Sequence, residues 1–287
     1  MTDASGTRVA FRARDGAPLV GRFFAAEAPV GAVLLGPATG VAARFYRHFA
    51  AATAAAGFAV LTFDYRGIGA SLEGYVRDVD ANLEDWGRRD MPAALDALAG
   101  RAPGVPLHLV GHSAGGQLVG LMDNADRLDA VVQVAGSSGW FGGMGRRMRT
   151  LGRLLLRVYG PLAVRLRGYA PVRVLGWGED LPAGVALQWG EWCSTPGYVE
   201  SAFGRTVDRR SYEALRCRII NVTATDDPIA TDTNVEDLLR LFPHAEVSRV
   251  RLVPSELGVP SIGHVGFFRP ELRTAWSEVW RLLSAVD

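Results

Sequence analysis

The sequence predicts an α/β protein: a mostly parallel sheet covered by helices on both faces. Three observations predict it. Short runs of nearly unbroken apolar residues recur at strand length, at 31–36, 58–65, 106–111 and 129–136. Helical stretches separate them, and the same alternation resumes after residue 211. Strands buried on both faces lose the in-out pattern of a one-sided sheet, and strands joined through helices run parallel.

In chain order, residues 7–26 form two strands around Asp15-Gly16, a dipeptide that favours a tight hairpin. GAVLLG (31–36) is a buried strand, and the Ala-rich stretch 43–56 is helical. FAVLTFDY (58–65) is the next strand, followed by an amphipathic helix over 83–100. PLHLVG (106–111) precedes a helix over 114–124, and DAVVQVAG (129–136) follows. Past residue 211 come a strand at 217–225, a helix at 233–241, a strand at 246–253 and a closing helix at 268–285. Residues 137–210 break this rhythm and read as a mostly helical insertion, a lid over the sheet's carboxyl edge. The division is therefore a core of 1–136 and 211–287 with a cap of 137–210.

Composition narrows the function. A chain of 287 residues with 48% hydrophobic and 21% charged residues is ordinary for a globular domain. A net charge of +1 gives no ground for a nucleic-acid partner. All 31 basic residues are Arg, so a Schiff-base or lysine-base mechanism is excluded. Two cysteines, Cys193 and Cys217, build neither a disulfide framework nor a cysteine-based zinc site, and no metal or cofactor is expected. The first residues carry no apolar core of a signal peptide, and the most apolar stretch, 49–61, is too short to span a bilayer. The expectation is a soluble cytoplasmic protein.

Gly111-His112-Ser113-Ala114-Gly115 lies between a predicted strand and a predicted helix. A strand that turns at once into a helix forces the residue at the bend into a strained conformation. Small neighbours two positions away relieve the crowding, and the serine hydroxyl is left exposed at the sheet edge. Such a serine needs a base. His48, His108, His112 and His244 lie in or beside regular elements and read as structural or solvated. His264, in Gly263-His264-Val265-Gly266, follows the last strand, where the carboxyl edge of the sheet assembles a site. An acid must orient that ring. Asp226 and Asp227 directly follow the strand 217–225, and either fits; Asp64 reads as a loop-ordering residue, with Arg66 as its candidate partner.

Ser113, then Asp226 or Asp227, then His264 is the chain order of the α/β-hydrolase triad. With Asp64-Tyr65-Arg66-Gly67-Ile68-Gly69-Ala70-Ser71, Asp227-Pro228-Ile229-Ala230 and Gly263-His264, the core resembles the α/β-hydrolase superfamily. Within it, the chain looks most like the lid-bearing serine hydrolases related to monoacylglycerol lipases and the serine aminopeptidase branch. The resemblance implies an eight-stranded, mostly parallel sheet with a lid after strand 6. It also favours Asp227 over Asp226 as the acid, because the family acid precedes a short run like Pro228-Ile229-Ala230. The chain departs from the family at the oxyanion loop, where Gly36-Pro37-Ala38-Thr39-Gly40 replaces His-Gly. The donors expected are the N–H of Ala114 and that of Ala38 or Thr39, since Pro37 has none.

The lid segment carries Trp140, Trp177, Trp189 and Trp192, candidates for an acyl pocket or for the lid's own core. Between 130 and 178 there is no Asp or Glu. Met148, Leu151, Leu155 and Val158 recur at helical spacing among Arg147, Arg149, Arg153 and Arg157. That helix either packs its apolar face on the core or meets an anionic membrane surface or an acidic carrier.

The function expected is a cofactor-independent serine hydrolase that cleaves a carboxylic ester of a small acyl substrate. Two alternatives stand beside it: a thioesterase or acyltransferase on a carrier-bound acyl group, and a non-catalytic ligand-binding protein on a hydrolase fold.

Overall fold

The computed structural model describes residues 6–284. β1 (Thr7–Arg12) and β2 (Pro18–Phe24) form the expected antiparallel hairpin, and β2 runs antiparallel to β4 (Phe58–Asp64). From there the sheet is parallel. β4 pairs with β3 (Gly31–Gly36), β3 with β5 (Leu107–His112), and β5 with β6 (Leu128–Val134). A two-residue hairpin, β7 (Tyr169–Ala170) and β8 (Leu181–Pro182), stands apart. β9 (Arg218–Ala224) and β10 (Val247–Leu252) complete an eight-stranded sheet of order β1-β2-β4-β3-β5-β6-β9-β10. The final segment of the predicted closing helix extends past the described residues.

Every residue of β3, β4 and β5 is buried, as strands covered on both faces require. Alternate side chains serve opposite layers. Leu34, Leu61, Leu109, Val131 and Ile219 pack with Trp86 and with Leu95 of the helix Met91–Ala99. Val33, Val60, Val110, Val132 and Ile220 face the other way. They pack with Phe49 of α1 (Arg47–Ala55) and Trp276 of the closing helix (Arg273–Ser284). That closing helix starts five residues later than the sequence suggests. Arg269 precedes Pro270 and is extended, as a residue before proline prefers. The helix after β5 is also shorter than expected: Ala114–Gln117 is α-helical and Leu118–Leu121 tightens to a 3-10 turn. Gly120 lies against the Tyr212 ring, where a side chain would not fit.

Arg66 does not pair with Asp64. It makes a buried ion pair with Asp90 and a second with Asp15 (2.7 Å), tying the first hairpin to the helical layer. Asp64 instead accepts from the backbone N–H groups of Ala43 and Ala70, and so orders the two loops beside it.

Between β6 and β9 the chain is mainly helical. One continuous helix runs as an α-helical stretch Arg146–Arg153, a π-turn Leu154–Tyr159 and a second α-helical stretch Gly160–Arg167. The predicted apolar face is buried only in part. Leu155 is buried and Met148 is half-buried against the core, but Leu151 and Val158 face solvent, and Gly152, Leu156 and Ala163 are buried in their place. No helix among the described residues is long and apolar enough to cross a membrane.

Candidate active site

The bend at Ser113 has the predicted strain. Its φ is 49°, in the left-handed region that side chains other than glycine rarely occupy. Close packing explains both flanking glycines. A Cβ on Gly111 would lie 2.4 Å from the Gly116 nitrogen, and one on Gly115 would lie 2.0 Å from the Gly36 oxygen. The second contact seats the elbow directly on the end of β3, so the serine and the 36–40 loop share one rim.

Three side chains from separate parts of the chain meet there. His264 Nε2 is 3.1 Å from Ser113 Oγ, and His264 Nδ1 is 2.8 Å from Asp227 Oδ2. Ser113 is half-buried, and the Asp227 side chain is fully buried. Burial acts to raise the Asp227 carboxyl. The neighbouring His264 ring and the N–H groups of Ala230 and Ile229 outweigh burial and hold it below its ordinary value. A buried carboxylate kept ionised next to an imidazole fixes that ring with Nδ1 protonated and Nε2 free to accept from the serine.

Asp226 does not touch the imidazole. It accepts from the Ser261 hydroxyl (2.7 Å) and from the N–H groups of Ile262 and Gly263 (both 3.0 Å), so it anchors the loop that carries His264. The adjacent carboxylates divide the work, one orienting the ring and the other the loop.

Two further residues complete the site: His112, which reads as structural in the sequence, and Tyr46, which the sequence does not single out. His112 is wholly buried, and burial pushes it down to about 3, so the ring is neutral. Its Nε2 lies 2.9 Å from the His264 carbonyl, which can only accept, so Nε2 carries the proton. Nδ1 then accepts from the Tyr46 hydroxyl at 2.9 Å, and that hydroxyl accepts from the Ala38 N–H, also at 2.9 Å. One directional chain thus runs from the 36–40 loop, through Tyr46 and His112, to the backbone of the histidine loop. Its consequence concerns Ala38: its N–H is already spent on Tyr46. The N–H groups of Thr39 and Ala114 take no acceptor among the described residues. Nothing in the sequence distinguished Tyr46 from a core aromatic. His112 was visible only as the elbow's second residue. Of the others, His108 is buried within β5, His48 lies half-buried on α1 and His244 is exposed.

A cavity of about 920 Å³ opens over Ser113 and His264. Phe141, Met144, Met148, Leu156, Trp189 and Ile229 give it apolar walls, and Ala38 and Thr39 lie at its edge. Trp177 also borders it, but two of the four predicted pocket tryptophans do not. Trp192 is buried in the main hydrophobic core, edge-on to Tyr198, and Trp140 packs over Gly142. At the mouth, Glu179 pairs with Arg44, and its N–H donates to the Gly40 carbonyl (2.7 Å), closing the 176–179 loop onto the segment after β3. Among the described residues no group of His, Cys, Asp and Glu could hold a metal ion.

These features define a class. Residues 32–275 match the model of the alpha/beta hydrolase family, and the chain belongs to that family. No curated protein matches it in sequence. Solved structures share the fold at low identity. A soluble variant of monoglyceride lipase from Saccharomyces cerevisiae superposes with a TM-score of 0.69 at 16% identity, covering 100% of this chain and 96% of that one. A thermostable carboxyl esterase from Bacillus coagulans gives 0.62 at 14%, covering 97% and 99%. The esterase domain of a Rhodothermus marinus protein gives 0.61 at 18%, covering 97% of each. The sheet and its helices thus belong to a hydrolase framework, and the framework's neighbours include lipases and esterases.

Proposed function

We propose that this protein is a serine hydrolase that cleaves a carboxylic ester through an acyl-enzyme. The single observation that carries the reading is the hydrogen-bonded series Ser113–His264–Asp227, with the serine on a strained bend at the floor of the cavity. Ser113 Oγ attacks the ester carbonyl carbon as His264 Nε2 takes the hydroxyl proton. The carbonyl oxygen becomes an oxyanion, and the N–H groups of Thr39 and Ala114 donate to it; donors of this kind contribute about 2.7–4 kcal/mol each. The tetrahedral intermediate collapses, and the alcohol leaves with the proton from His264. Water, deprotonated by the same ring, then attacks the acyl carbon and restores Ser113.

The apolar walls suit an acyl chain rather than a charged acid, because a carboxylate among Phe141, Met144 and Leu156 would lose its hydration without a partner. The test is turnover of soluble aryl esters of increasing acyl length, beside the matching acyl thioesters. Ester cleavage that improves as the chain lengthens, and vanishes in Ser113→Ala, supports the reading. Inert esters beside active thioesters would replace it with the carrier-bound alternative, and no turnover of either would leave a binding protein.

A further inference from the structure

The helix 146–167 has two apolar faces. The inner one lines the cavity through Met148, Gly152 and Leu156. The outer one is exposed: Leu151 at 44%, Leu154 at 55%, Val158 at 57%, Leu162 at 54% and Leu166 at 73%. These five recur every three or four residues, so they form one stripe, about 22 Å long at 1.5 Å per residue. A stripe of large aliphatic side chains on the solvent side of a long helix is not needed to fold the domain; it costs solubility unless something covers it.

The charges around the stripe identify what covers it. Arg146, Arg147, Arg153, Arg157, Arg165 and Arg167 are exposed, and none has an ion-pair partner among the described residues. The helix and its approaches carry no acidic residue from 130 to 178. Val174, Leu175 and Trp177 add exposed apolar surface, and Trp177 borders the cavity.

We infer that the outer face of helix 146–167 is a docking surface for an anionic lipid bilayer. The aliphatic stripe enters the headgroup region while the arginines meet lipid phosphates. A helix with an apolar face edged by cations lies in the plane of the interface; it does not span the membrane. Each arginine close to an anionic surface strengthens binding by about fivefold. A second copy of the chain fits the face poorly. A two-fold contact would set these unpaired arginines against their own copies with no acid between them. The surface forms the outside of the cavity's roof, and an acyl substrate held in the bilayer would meet Trp177 at the cavity's edge. The docking claim does not depend on the reaction, because vesicle binding is read without turnover.

The test is co-sedimentation with phosphatidylcholine vesicles, with and without 30% phosphatidylglycerol (roughly 0.1 M salt gives a Debye length of about 10 Å). The protein is expected to bind the anionic vesicles, to release as salt rises, and to bind the neutral ones weakly. Leu154→Glu with Val158→Glu should lower the partition coefficient at least about tenfold, since buried carboxylates replace aliphatic insertion. Arg153→Glu with Arg157→Glu should lower it by a similar factor, and the melting temperature of each variant checks its fold. Four results would overturn the inference: no binding to anionic vesicles; binding that both variants keep; a lipid-free dimer that the Leu154/Val158 variant makes monomeric; or capture of an acidic polypeptide with no capture of vesicles.

Discussion

Replacing Asp227 by Asn tests the site at one atom. The two carboxylate oxygens have separate partners. Oδ1 accepts from the N–H groups of Ile229 (2.8 Å) and Ala230 (2.9 Å), while Oδ2 faces His264 Nδ1 at 2.8 Å. An amide at 227 must keep its oxygen on the two N–H donors, because its NH2 group would meet them donor to donor. The NH2 therefore points at His264 Nδ1 and donates to it. The ring proton moves to Nε2, which then donates toward Ser113 Oγ and no longer accepts from it. A locked wrong tautomer of this kind lowers turnover about 10⁴-fold in a serine protease. At 1.36 kcal/mol per tenfold, that is about 5.4 kcal/mol of lost transition-state stabilisation. Stability should change little, since every partner of residue 227 remains satisfied. The assay is kcat/KM for a soluble aryl ester, with thermal melts alongside. Asp226→Asn serves as the comparison and should lose less, because residue 226 holds the loop and not the ring. The reasoning is refuted if Asp227→Asn stays within about tenfold of wild type, or if Asp226→Asn is the more damaging change.

Two further predictions follow from buried groups. Tyr46→Phe removes the hydroxyl between the Ala38 N–H and His112 Nδ1, leaving both unpaired, and should cost about 1–3 kcal/mol in urea melts; it should lower kcat more than it raises KM, and an unchanged melt with unchanged kcat would remove Tyr46 from the account. His108 is buried, and burial pushes it down to about 4, below its ordinary value. The neutral ring's contribution is thus complete above pH 6.5 and lost as pH falls toward 4, while the unfolded chain takes the proton. Wild-type stability should fall relative to His108→Gln by up to about 1.4 kcal/mol per pH unit in that window, and parallel stability curves would contradict it.

Much of this was legible in the sequence, for identifiable reasons. Buried parallel strands must be apolar on both faces, so β3, β4 and β5 announced themselves. The elbow was legible because its glycines are demanded by contacts too short for any Cβ. What stayed hidden depends on geometry that spacing does not encode. Asp226 and Asp227 are adjacent and alike, so spacing leaves both open; the family resemblance favours Asp227, and the direction of each side chain is what puts it, and not Asp226, against the imidazole. Tyr46 sits in an Ala-rich helical segment and looks like core until its hydroxyl is seen between Ala38 and His112. The arginine-rich helix was legible only in part: Leu155 is buried, but Leu151 and Val158 face solvent, and no residue pattern marks the π-turn at 154–159 that breaks the regular helical period. Arg66 was matched to its nearest acid in sequence, whereas the fold brings Asp90 and Asp15 to it from farther away.

The central claim is that Ser113 is a nucleophile activated by His264. The most direct measurement is covalent labelling of the folded protein by a fluorophosphonate, followed by peptide mass mapping. The account predicts one phosphonyl group per chain, on Ser113, formed quickly in wild type and lost in His264→Ala. Labelling on a different residue, or an unlabelled Ser113 in protein that melts cooperatively, would contradict it.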